Sequence, residues 1–148
     1  MMAERWWTAP AEAPSGKTVI VTGHDYLDKI REKGKHPFRV EVTWDYEPQP
    51  DGMPSEADAQ LMESATEALR EELRKDKAAC MTGIYTGDGS RDWVFYTSSL
   101  AIFGKILNRA LEKLDPMPLR IEAYSDPDWE EYAAMRESSY IPETDEES

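Results

Sequence analysis

"FRVEVTWDY", residues 38 to 46, alternates without a slip: Phe38, Val40, Val42, Trp44 and Tyr46 fall on one side, Arg39, Glu41, Thr43 and Asp45 on the other. Successive side chains of an extended chain point to opposite faces. A period of two therefore predicts a strand with one dry and one wet face, as antiparallel sheets commonly have. Its neighbours in the chain must supply partner strands and a cover for the dry face.

Downstream, "EPQPDGMP" turns the chain, and Ser55 opens "SEAD", a start resembling a capping box with Asp where Glu is usual. Leu61, Ala65, Ala68, Leu69 and Leu73 then form one helical stripe, with Glu67 and Arg70, and Glu71 and Lys75, spaced to pair in solvent. "AACMTGIYT" and "RDWVFYT" flank "GDGS". Asp-Gly between two β-rich runs predicts a tight hairpin, because a type I′ turn needs positive φ at both central residues. "SSLAIFGKILNRALEKL" places Leu100, Phe103, Ile106, Leu107, Ala110, Leu111 and Leu114 on one face of a helix capped by Ser98 or Ser99. "PLRIEAY" alternates Leu119, Ile121 and Ala123 against Arg120, Glu122 and Tyr124, which predicts another half-buried strand. From 38 to 124 the order is strand, helix, strand, strand, helix, strand. That is the βαββαβ pattern of ferredoxin-like split βαβ folds, an α+β architecture in which helices cover one face of an antiparallel sheet.

Upstream, "KTVIVT" (17 to 22) reads as an added N-terminal strand, and "HDYLDKIREKGK" as a helix bearing Tyr26, Leu27 and Ile30, stopped by Gly34 and Pro37. Residues 1–16, with the Pro- and Ala-rich "TAPAEAPSG", read as an irregular arm whose Trp6 and Trp7 are too apolar to leave in water. At the other end, "SDPDWEEY" (125 to 132) begins a short C-terminal helix. Asp126 is its N-cap, Pro127 suits the first helical position, Asp128, Glu130 and Glu131 lie near the positive end of the dipole, and Trp129, Tyr132 and Ala133 press onto the domain. The expectation is one α+β domain over 1–140, followed by an acidic, disordered tail at 141–148.

The net charge of −13 is concentrated late: residues 126 to 148 hold nine acids against Arg136 alone. Affinity for a phosphate backbone needs clustered Lys and Arg, so nucleic acid is excluded as an expected partner. Cys80 is the only cysteine and permits no intrachain disulfide, no apolar run reaches membrane-span length, and the start lacks the apolar middle of a secretory signal. These features predict a cytoplasmic protein with no membrane partner.

Several catalytic patterns fail on inspection. Asp126, Asp128, Glu130 and Glu137 fit calcium-loop positions, yet the glycine such a loop requires is replaced by Glu131. "APSGKT" ends like a phosphate loop, but the upstream glycine is Ala11 and a strand, not a helix, follows. "GDGSRD" has Asp92 where a dinucleotide fingerprint has its third glycine. Cys80 with His24 and His36 is the minimum for a thiol nucleophile or a crude metal site, but nothing basic adjoins the cysteine, which reads as a small buried hydrophobe. Among 30 acidic residues a carboxylate pair carries no specificity. No catalytic residue, cofactor or metal is assigned. A basic stripe, Lys105, Arg109 and Lys113, recurs every four residues opposite an apolar helix face and offers a docking surface for an acidic partner or for the tail. The wet sheet face carries mixed charge and no aromatic run suited to stacking bases.

Arg91, Trp93 and Tyr96 in "RDWVFYT", followed by Asp126, Pro127, Trp129, Glu130 and Tyr132 in "SDPDWEEY", resemble two short motifs of the bacterial family called domain of unknown function 695. The likeness extends, with weaker agreement, to Trp6 or Trp7, the strand at 38 to 46 and the helix from 55. The family name carries no activity, so the resemblance supports fold more than function. A related compact family, the regulators of ribonuclease activity B, is likewise acidic and ferredoxin-like and acts by binding a nuclease, an analogy of fold alone.

With no set of nucleophile, base and oxyanion donor to point at, the reading leans away from an enzyme and towards a protein-binding or regulatory module. The alternative is a small enzyme or ligand-binding domain, with a cleft between the N-terminal addition and the sheet near Arg91, Trp93, Trp44 and Asp126.

Overall fold

A computed structural model describes residues 4–142. One six-stranded antiparallel sheet runs through it, in the order β1-β2-β4-β5-β3-β6. Its strands are β1 (Trp6–Glu12), β2 (Thr18–His24), β3 (Phe38–Asp45), β4 (Ala79–Gly87), β5 (Ser90–Thr97) and β6 (Leu119–Ser125). Four helices complete it: α1 (Asp28–Glu32), α2 (Glu56–Lys75), α3 (Leu100–Leu111) and α4 (Glu130–Ser139). The α+β class and the antiparallel sheet are as expected.

The alternation in β3 works as its sequence dictates. Val40, Val42 and Trp44 are buried with Met62, Ala65 and Leu69 of α2 and Phe103, Ile106, Leu107 and Ala110 of α3. Ser55 and Ser99 cap these two helices by accepting from the amides of Asp58 and Ile102. The hairpin turns on Asp88 (φ 51°) and Gly89 (φ 89°), the two positive dihedrals that a type I′ turn demands. On the outer side of α2, Arg70 meets Glu67, but Lys75 turns to Glu72 while Glu71 lies near Lys113 of α3.

Three expectations are corrected. The helices do not share one face: a second core of Trp7, Val21, Leu27, Val94, Tyr96, Trp129, Tyr132 and Met135 lies on the opposite side of the sheet, under α4. The cause is visible in β5, where Trp93 and Phe95 face one core and Val94 and Tyr96 the other, so the strand is buried on both sides. Nor is the stretch before residue 16 irregular, since Trp6–Glu12 pairs along its whole length with β2. Pro10 is tolerated because β1 is an edge strand, and Trp7 lies flat over Gly23, where any Cβ would stand 2.1 Å from the ring. Two N-terminal strands, not one, are therefore added to the sheet. Finally, β6 is not half-buried: apart from Leu119 its residues are exposed on both faces, because none of the described helices packs over this edge.

The helix expected from His24 to Lys35 shrinks to Asp28–Glu32, because His24 closes β2 and Tyr26 turns left-handed at φ 64°. The end of the chain departs from expectation in detail. Tyr140 is docked by a hydrogen bond from its hydroxyl to Asp25, and the Ile141 carbonyl accepts from Arg5. Most of the expected tail, 143–148, lies outside the described residues. No helix among those described is long and apolar enough to cross a membrane.

Candidate functional site

α2 packs over β4, β5 and β3, and the sheet extension made by β1 and β2 leaves a furrow along its flank. Three adjoining hollows of about 240, 140 and 420 Å³ follow this flank. The first and second share Trp6 and Arg70; the second and third share Leu73, Arg74, Ala79 and Cys80. The result is one groove, running from Arg91 and Glu63 to Lys33, Lys35, His36 and Lys77.

Its composition inverts that of the chain. The charged residues lining the groove are Arg70, Arg74, Arg91, Lys33, Lys35 and Lys77 against Glu4 and Glu63, whereas the whole chain carries −13. Arg70 is held by Glu4 at 2.7 Å, Arg74 lies 3.6 Å from Glu4, and Arg91 lies 3.9 Å from Glu63. Lys33, Lys35 and Lys77 have no ion pair among the described residues. The widest hollow adds apolar wall from Ile30, Leu73 and Ala79. Trp6 stacks on His24 with 4.1 Å between ring centres, and Arg70 lies over the Trp6 ring at 5.4 Å.

Among the described residues, three buried side-chain nitrogens lack a hydrogen-bond partner: Trp6 Nε1, Arg70 Nε and His36 Nδ1. All three belong to residues that line this groove. Buried polar groups are nearly always paired, so the gathering of three orphaned ones in the wall behind one groove marks it out. Burial lowers the pKa of both His36 and His24, and the two rings sit against the carbonyls of Lys77 and Met81. Cys80 borders the groove, but burial pushes its thiol up to about 12, which leaves it un-ionised and a poor nucleophile at neutral pH.

The motif residues divide between the two faces. Arg91 donates to Thr86 Oγ1 at 2.8 Å and lies over the Trp93 ring, and Trp93 donates its indole N–H to Thr66 at 2.9 Å, all on the α2 side. On the α4 side, Asp126 accepts from the Tyr96 hydroxyl (2.7 Å), Arg39 (2.8 Å) and the amides of Glu130 and Glu131. Burial pushes the Asp126 carboxyl up, and these four donors outweigh it and hold it below its ordinary value. Helix α4 begins only at Glu130, so the N-cap is Trp129 and not Asp126, and Pro127 precedes the helix instead of taking its first position. Trp129 stands before it in the left-handed region (φ 57°), stacks on Tyr96 at 4.4 Å and donates its indole N–H to the His36 carbonyl. Tyr132 completes the cluster, donating its hydroxyl to the His24 carbonyl and its amide to the Tyr96 hydroxyl, while Pro127 borders a shallow hollow beside α1.

Arg91 and Asp126 therefore do not converge, and Trp93, Trp44 and Asp126 are all buried. Of the cleft expected near them, only the Arg91 end lies in the groove. The basic stripe is also broken up: Arg109 and Lys113 lie 3.1 and 3.6 Å from the buried Glu72 of α2, leaving Lys105 without an ion pair among the described residues. Asp25 forms a second satisfied cluster, with Arg5, Arg136 and Tyr140. Glu131 accepts from Tyr85, with burial raising the pKa of both. No group of three or more His, Cys, Asp or Glu among the described residues is placed to hold a metal ion.

Sequence reasoning passed over the groove because its cations come from separate places. Two short runs, "KGKH" (33 to 36) and "RKDK" (74 to 77), were the available signal, as local basic islands in an acidic chain.

The model of a family described as "Family of unknown function (DUF695)" matches residues 9–135, most of the chain, so the chain belongs to that family. Comparison with curated proteins and with solved structures gave no match.

Proposed function

We propose that this member of the family is a non-enzymatic binding module, whose groove beside α2 takes an acidic segment of a protein partner with an apolar side chain seated in the widest hollow. The observation that carries the reading is the concentration of cations without an ion pair along one groove of an acidic chain, with unpaired buried nitrogens in the wall behind it. Lys33, Lys35 and Lys77 supply positive charge at the rim, and the enclosed N–H groups of Trp6 and Arg70 add positive electrostatic potential behind the groove wall. An acidic partner complements this potential, and the overall negative charge repels it from other approaches. Among the described residues of the groove no nucleophile is hydrogen-bonded to a base, which favours binding over chemistry.

The ferredoxin-like reading belongs to the same proposal. It is supported by the four strands β6-β3-β5-β4, in which β5 lies between β3 and β4, the strands joined through α2, and β3 lies between β5 and β6, the strands joined through α3. In that reading β1, β2 and the helices on the far face are additions, and β1 with β2 builds one bank of the groove.

Fluorescence anisotropy with three labelled ten-residue peptides tests the proposal: one acidic with a central leucine, one acidic without it, one basic with it. The acidic peptide with leucine is expected to bind best and to weaken as salt rises. Lys35→Glu and Lys77→Glu should each weaken it by about tenfold, roughly 1.4 kcal/mol. Equal binding of acidic and basic peptides, or variants that bind like wild type, contradicts the proposal.

A further inference from the structure

The two edges of the sheet are unlike. β1 carries Pro10, which has no N–H to offer a further strand, and it borders the groove through Trp6. β6 contains no proline between 119 and 125, lies at the far edge of the sheet, and bears Ile121, at 54% the most exposed large apolar side chain among the described residues. Such an edge is a template for another strand.

We propose that β6 pairs antiparallel with β6 of a second copy, about a two-fold axis at Ile121, joining two six-stranded sheets into one. An axis perpendicular to the sheet keeps the faces of both copies aligned, so each residue must meet one of its own parity. Centring on Arg120 or on Glu122 sets like charge against like at the axis. Centring on Ile121 sets Arg120 opposite Glu122 of the other copy, twice over, and Leu119 opposite Ala123. Cross-strand pairs of opposite charge stabilise a ladder and like pairs oppose it, so the charge pattern "RIE" favours this register over those centred on Arg120 and Glu122, and it is the one that brings the two Ile121 side chains together. Ile121 is aligned with the buried Val42, and the pairing brings two copies of Leu119, Ile121 and Ala123 together, removing exposed apolar surface that no helix covers. The same patch meets itself, as a closed dimer requires.

Sedimentation velocity of the full chain over a concentration series tests this. The wild type should pass from monomer to dimer as concentration rises. Arg120→Glu and Glu122→Arg each create two like-charge crossings and should move the midpoint at least about tenfold higher. The double variant restores opposite charges and should recover most of that shift. Ile121→Asp, at an exposed position, places two carboxylates at the axis and should abolish the dimer, with circular dichroism checking that each variant is folded. A wild type monomeric throughout, single variants that dimerise like wild type, or a double variant as impaired as the singles overturns the pairing.

Discussion

Asp126 shows how acids that resemble a site can be consumed by structure. Its carboxylate receives a phenol, a guanidinium and two amides while buried, so both oxygens are occupied. Removing it leaves Arg39 without that partner beneath α4, and Asp126→Ala is predicted to cost about 3–5 kcal/mol by urea denaturation. The pH dependence follows from the lowered pKa: the stabilisation is complete above the unfolded carboxylate value, near 4, and is lost as pH falls through the lower folded value. The urea midpoint should therefore decline below about pH 4, and Asp126→Asn should flatten part of that decline. Glu131 has the opposite sign. Burial raises its pKa, so it favours folding below the unfolded value and loses that contribution as pH rises. Glu131→Gln, whose carbonyl still accepts from Tyr85, should leave stability at pH 7 unchanged or raised, and a loss above about 1 kcal/mol would contradict this assignment. That Asp126 accepts backbone amides at the start of α4 was legible in its sequence; that the N-cap is Trp129 in a left-handed turn was not, because stacking on Tyr96 and the bond to the His36 carbonyl hold it there, and both partners are remote in sequence.

At the level of elements, periodicity located β3, α2, the hairpin and α3, each of which has a sharply two-sided pattern. It failed where pattern is weak. β1 has a proline and small residues, and only pairing with β2 makes it a strand. That pairing depends on Gly23 lying under Trp7, so Gly23→Ala should destabilise the fold by about 1–3 kcal/mol or more, read from the thermal or urea midpoint, whereas the same change at Gly104, where a Cβ meets nothing, should not. The second helical layer was written in β5, whose continuous apolar run Trp93 to Tyr96 is what a strand covered on both faces looks like. For β6 the alternating pattern misled, because alternation reports which residues share a face but not whether any helix covers it.

Across the whole molecule, the charge balance was legible as a sum and along the chain, but not in its arrangement in space. An acidic chain concentrates cations and unpaired donors along one flank of α2, and those residues meet only after folding brings 4–6, 33–36, 70–77 and Arg91 together. β1 and β2, which bank the groove, and the exposed edge β6 stand at opposite ends of the strand order, and each surface can be disabled by its own substitutions. The claim on which the functional account turns is that the groove is the binding surface. The most direct measurement is a two-dimensional ¹H–¹⁵N NMR titration of the full chain with the acidic leucine peptide, followed residue by residue. The account predicts shifts at Trp6, including its indole N–H, and at Lys33, Lys35, His36, Arg70, Leu73, Arg74 and Lys77, reversed by added salt. Shifts confined to Lys105 and the outer face of α3, or to Glu41, Asp45 and β6, with the groove signals unmoved, would contradict it.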